Sequence, residues 1–176
     1  MPSVRTPRGK FSLLAVLALA LVIWLLRDLP KSFNSPQPEG EWRTVVRIVD
    51  GDTFDLEDGE RIRPIGVDAP ETRPPKGPEP CGREATAFAK QLLEGRRVRL
   101  EYDWERYDRM RPPRTLAYVF LEDGTFFNAE IIRQGYAHAY RNFEYRYKED
   151  FLRYERQAHV ENVGCLPEQA PNMRRE

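Results

Sequence analysis

Histidine and cysteine are scarce in this 176-residue chain, with two of each. His138 and His159 have no Cys or His close by in sequence, which argues against a zinc motif and leaves both as structural or surface residues. No nucleophile signature accompanies Cys81 or Cys165. The chain also lacks an excess of positive charge, since 28 basic residues balance 28 acidic ones. Four of the basic residues, Arg5, Arg8, Lys10 and Arg27, lie in the first 27 positions, where there is no acid. The remainder holds 24 basic against 28 acidic residues, a net of −4. That excludes the global basic field of many nucleic-acid binders, so affinity for a polyanion has to come from local clusters and a bound cation. There is no internal repeat.

The first 27 residues are present for another purpose. Phe11 to Leu26 is a 16-residue apolar run behind three basic residues, about 24 Å long as a helix, against a hydrocarbon core of ~30 Å. It reads as a signal anchor, or as a signal peptide with a cleavage site near Ala18-Leu-Ala20. Either way the positive end stays inside and the rest is exported, held at the membrane or secreted. Residues 28–40, with three prolines and no apolar periodicity, form a linker. In an exported chain the two cysteines are expected to pair, closing a loop of over eighty residues, with two buried free thiols as the alternative.

From Trp42 onward, short alternating runs are separated by turn residues. Strands are expected over Trp42–Val49, Thr53–Leu56, Arg61–Val67, Arg97–Tyr102 and Thr115–Leu121. Asp50-Gly51, Asp58-Gly59 and Asp123-Gly124 each supply a dipeptide suited to positive φ. Helices are expected over Gly82–Glu94, over Ala129–Gln134 behind an Asn128 cap, and over Tyr147–Glu161. This count describes an α+β domain, a five-stranded Greek-key barrel with about three helices, preceded by the N-terminal hydrophobic helix.

The chemistry concentrates at the end of the third strand. Pro70 lacks an amide hydrogen and biases Ala69 toward extended backbone, so Asp68 and Glu71 are presented on a rigid turn. Asp50 fits ordinary turn chemistry, whereas Asp52 follows the glycine, where the turn does not need it. Asp52 and Asp68, with the Ala69 carbonyl, can supply oxygens to a hard cation. Glu71 is the spare acid, either a general base for water or a cap. Arg63 and Arg114 suit phosphate oxygens, with Arg109 and Arg111 as neighbours competing for that role. Tyr136 to Lys148 interleaves aromatics, Tyr140 among them, with basic residues. It serves either to stack an unpaired nucleotide or to pack the last helix.

Four fragments, in order and spacing, carry a resemblance: Val49-Asp-Gly-Asp-Thr53, Arg63-x-x-x-Val67-Asp68-x-Pro70-Glu71-Thr72, Arg114-Thr-Leu-Ala-Tyr118, and Asn128 followed by Gln134-Gly135. Together they resemble the staphylococcal nuclease (thermonuclease) family over roughly Trp42 to Leu166. The resemblance implies an OB-fold barrel over residues 41–167 and a calcium-dependent phosphodiesterase acting on DNA and RNA. It implies Ca2+ ligands at Asp52, Asp68 and the Ala69 carbonyl, a general base at Glu71 and catalytic arginines at Arg63 and Arg114. Substrate contacts are expected from Tyr140, Arg109 and Arg111 on the residue reading given above, and residues 168–176 are expected to form a disordered tail. The sequence departs from the family pattern in three places. Arg109-Met-Arg-Pro-Pro113 is longer by two residues and lacks the family's loop tyrosine; Gly164-Cys-Leu166 replaces Gly-x-Trp, where a Cys81–Cys165 disulfide can supply the anchoring; and the net charge is acidic. A non-catalytic OB module binding nucleic acid or a protein at the membrane is the alternative.

Overall fold

The computed structural model describes residues 40–73, 77–104, 107–108 and 113–166. The expected N-terminal helix, the linker up to residue 39 and the tail lie outside them. The described residues all fall within one compact unit. Among the described residues no helix is long and apolar enough to cross a membrane.

Among the described residues, seven strands and three helices follow in chain order: β1 (Arg43–Asp50), β2 (Thr53–Leu56), β3 (Arg61–Pro64), β4 (Val67–Asp68), α1 (Gly82–Leu93), β5 (Arg97–Glu101), β6 (Thr115–Leu121), α2 (Phe127–Arg133), β7 (His138–Ala139) and α3 (Lys148–Glu161). Five of the strands close into a barrel in the order β1-β2-β3-β6-β5, as an OB-fold domain requires. The β1-β2, β2-β3, β5-β6 and β1-β5 pairs are antiparallel, whereas β3 and β6 run parallel with Arg63 opposite Leu116. Every residue of β6 is buried, which its apolar run anticipates. Val45, Phe54, Leu56, Ile62, Val98 and Tyr118 are among the largest fully buried side chains.

The expected third strand is broken. Arg61–Val67 divides at Ile65-Gly66, where Gly66 takes φ 77° and any Cβ would lie 2.4 Å from the Tyr145 ring. Only glycine combines that φ with that approach. The break turns Val67-Asp68 off the barrel to pair with β7, forming a separate two-stranded ribbon. Asn128 is not a cap. It lies inside α2, fully buried, where its Oδ1 accepts from Val119 N at 2.9 Å and its Nδ2 donates to Ile65 O at 2.9 Å. It therefore ties the strand break to β6.

Helix α1 buries Leu93 and the small residues Gly82, Ala85 and Ala89, which let it close on the barrel, and Gly95 at φ 72° stops it. Cys81 and Cys165 form a disulfide. The chain end is also held by Cys165 N and Leu166 N, both donating to Gly135 O at 3.2 Å. The segment in which the family tryptophan is replaced is thus anchored covalently and through backbone contacts.

The disulfide spans 84 residues, so Cys165→Ser is expected to lower unfolding free energy by ~4 kcal/mol. Urea titration of oxidised wild type, reduced wild type and the variant checks this; the last two should coincide.

Candidate active site

Asp52 lies in the β1–β2 turn, directly before β2, and is 3% exposed. Its Oδ1 accepts from Arg63 Nη1 at 2.7 Å and from Thr53 Oγ1 at 3.2 Å, and its Oδ2 accepts from Ala69 N at 2.9 Å. One carboxylate thus joins the β1–β2 turn, β3 and the residue after β4. The Asp68 Oδ1 stands 3.9 Å from Arg63 Nη2, which also approaches Val67 O. Asp52, Asp68, Ala69 and Arg63, four of the residues singled out in sequence, therefore converge.

Gly51 is what permits this approach. A Cβ there would come 2.7 Å from the Ala69 Cβ and 2.9 Å from the Ala85 Cβ. Gly51 does not adopt positive φ, unlike Gly59 and Gly124, so close packing against the acidic turn and α1 explains it better than hairpin chemistry. Gly82 plays the same part across the site, where a Cβ would meet the Glu71 and Pro70 carbonyls at 2.8 and 3.0 Å. The Glu71 backbone is further held by Glu79: Glu71 N donates to Glu79 Oε2 at 3.0 Å, and Glu79 N to Glu71 O at 2.9 Å.

Asp50 belongs to this cluster as well as to its turn. Its Oδ1 accepts from Asp52 N at 3.2 Å, which is turn chemistry. Burial, then the charges of Asp52 and Glu71, push its carboxyl up to about 7. Glu71 is likewise raised, by burial and then by Asp52, with Arg63 and Arg114 pulling the other way. These acids crowd one another beyond what the arginines offset. An all-oxygen donor set with surplus negative charge fits a hard divalent cation such as Ca2+.

Arg114 arrives just before β6. Its Nε donates to Asp108 Oδ2, its backbone N to Asp108 Oδ1 at 2.9 Å, and its Nη1 to Thr53 Oγ1 at 3.3 Å. Thr53 adjoins Asp52, so the longer loop still delivers Arg114 to the cluster. Arg109 and Arg111 fall outside the described residues.

Arg63, Asp108 and Arg114 line one end of a cleft of about 510 Å³, with Tyr107, Tyr140 and Phe143 among its other walls. Tyr107, 54% exposed, supplies an aromatic ring from just ahead of the loop that lacks the family tyrosine. Sequence reading passed over it because it lies ahead of that loop. Tyr140 and Phe143 pack at 5.0 Å. The rest of that aromatic stretch is structural: Tyr145 is buried, Tyr147 packs edge-on against Tyr118, and Tyr136 stacks on Phe88. Its cations pair with acids, Arg141 with Glu155, Arg146 with Glu101 and Lys148 with Glu144, which leaves Tyr140 and Phe143 as the aromatic residues of the stretch that line the cleft.

Residues 61–165 match the family model described as staphylococcal nuclease homologue. The chain is 43% identical over 132 residues to a thermonuclease of Staphylococcus intermedius, covering 70% of this chain and 77% of that protein. It is 43% identical over 120 residues to the thermonuclease of Staphylococcus hyicus, covering 65% and 69%. It is also 34% identical over 102 residues to an uncharacterized endonuclease of Escherichia coli, covering 56% and 61%.

In the folded protein without divalent cation, Asp50 keeps its proton up to about pH 7, whereas the unfolded chain loses it near pH ~4. A raised folded value means that stability present at low pH is lost as pH rises through about 7. Asp50→Asn keeps the acceptor and removes the charge, so in chelator it should gain ~1–3 kcal/mol above neutrality and nothing near pH 4. Urea midpoints at both pH values check this.

Proposed function

The chain belongs to the staphylococcal nuclease family, and from that premise we propose that it hydrolyses phosphodiester bonds of DNA or RNA outside the cytoplasm, with Ca2+ as cofactor. What supports this reading is the clustering of two aspartates and a glutamate around Arg63 and Arg114, the two arginines that also line a cleft walled by Tyr107, Tyr140 and Phe143.

Asp52 and Asp68, with the Ala69 carbonyl, would hold the ion, which when bound supplies positive charge beside the phosphate. Glu71 takes the proton from the attacking water. Its raised proton affinity moves it toward the range in which a base is effective near neutral pH. Arg63 and Arg114 present N–H donors to the equatorial oxygens of the five-coordinate phosphorus, where negative charge accumulates. Arg63 keeps its charge because Asp52, Asp68, Asp50 and Glu71 outweigh the opposing effect of burial. The new P–O bond forms as the bond to the leaving 5′ oxygen breaks, and the phosphate remains on the 3′ side. Tyr140 and Phe143 offer faces for an unpaired base, which favours single-stranded substrate. The apolar run at Phe11–Leu26 and the Cys81–Cys165 disulfide support an exported location.

The purified protein should degrade denatured DNA in millimolar calcium and not in chelator, and Glu71→Gln should lower kcat ~10²–10⁴-fold. A wild type as inert as Glu71→Gln, binding oligonucleotide equally well with chelator, would instead establish a binding module. Tyr140→Ala should raise KM for single strands with little change in kcat; equal loss in both would place Tyr140 in the chemical step.

A further inference from the structure

The chain has two histidines, and the fold brings both to one carboxylate, against the expectation that each stands without companions. His138, on β7, is 5% exposed, and its Nδ1 is 2.7 Å from Glu155 Oε1. Glu155, on α3, is 3% exposed. His159 follows one helical turn later on the same face of α3, at the i, i+4 spacing. The two imidazole rings are 6.5 Å apart. One ring nitrogen from each histidine and one Glu155 oxygen all lie within 4.8 Å of one another. Arg141 Nη2 donates to Glu155 Oε2 at 2.7 Å and its Nη1 reaches Oε1 at 3.4 Å, which fixes the carboxylate plane, while Oε1 makes its shorter contact with His138.

We propose that His138, Glu155 and His159 bind a borderline divalent transition ion of the zinc class, at a site built from different side chains than the acids around Asp52. Two imidazoles and one carboxylate suit such an ion, whereas calcium favours oxygen alone. Three protein ligands are enough for a tetrahedral shell completed by water. Bonds of ~2.0–2.1 Å require the three donor atoms to draw closer than 4.8 Å, which rotation of the half-exposed His159 can provide without moving the helix. The hydrogen bond between His138 and Glu155 keeps the buried groups satisfied when no ion is bound, so the donors stand preassembled, and the ion replaces that hydrogen bond. Arg141 then acts as the outer partner that orients a ligating carboxylate. An ion held there cross-links β7 to α3. Because His138 is the register partner of Asp68, it also stiffens the ribbon that carries Asp68.

The test is a Zn2+ titration of the full-length protein by calorimetry, after chelator treatment and in excess calcium so that the acidic cluster is occupied. One equivalent per chain is expected, together with a zinc-dependent rise in Tm. His159→Ala, at a half-exposed position, should weaken binding at least about tenfold. Cobalt on the wild type should give the visible bands of a nitrogen-ligated ion, a readout that needs no variant. Absence of saturable binding in calcium, undiminished affinity in His159→Ala, or cobalt spectra typical of oxygen ligands alone would each overturn the proposal.

Discussion

Burying Arg63 and Asp52 together commits the fold to one arrangement of its acidic turn. A guanidinium and a carboxylate taken out of water are tolerated only with a close partner and further hydrogen bonds. Here the 2.7 Å pair is completed by Thr53 Oγ1 and Ala69 N. Since Asp52 belongs to the β1–β2 turn, Arg63 to β3 and Ala69 to the residue after β4, satisfying one carboxylate sets three segments. Removing either charge would leave the other buried and uncompensated, so geometry and stability at this point are the same problem.

The remaining contacts limit how far that arrangement can drift. Gly51 and Gly82 let the acidic turn, Ala69, the Pro70-Glu71 backbone and α1 approach more closely than any Cβ allows. The disulfide begins at Cys81, directly before α1, and reaches the segment held on Gly135 O. The backbone carrying Glu71 is therefore pressed against a helix start that is cross-linked to the end of the domain. Asn128 performs the corresponding task for the arginines. It bonds to Ile65 O and Val119 N, joining the chain beyond Arg63 to the strand that follows Arg114, and the parallel β3–β6 pairing sets Arg63, on β3, beside the start of β6 that Arg114 leads into.

Charge is distributed unevenly enough to offset a chain with no net positive field. Arg141, Arg146 and Lys148 are taken up by Glu155, Glu101 and Glu144, so the aromatic stretch offers less positive charge than its composition suggests. The acids near Asp52 are crowded until Asp50 and Glu71 hold their protons more tightly than usual. Attraction for a polyanion then depends on local guanidinium groups and on a cation matched to the crowded carboxylates.

The sequence by itself determined the elements and the short motifs, because strand alternation, the Asp68-Ala-Pro-Glu71 turn and the Arg63 and Arg114 positions are written over a few neighbouring residues each. The α+β barrel with three helices was legible for the same reason, and the pairing of Cys81 with Cys165 because a chain read as exported holds just these two cysteines. What only the tertiary structure decided lies in contacts between segments distant in sequence. The break at Gly66 follows from the Tyr145 ring, the role of Asn128 from carbonyl and amide groups on two other segments, and the second character of Asp50 from Asp52 and Glu71 folding over it. Tyr107 reaches the cleft from just ahead of the longer loop, and two histidines that look isolated share Glu155 because β7 lies against α3. Local propensity reports what a residue's neighbours allow, whereas burial, close approach and field depend on what the fold brings from elsewhere.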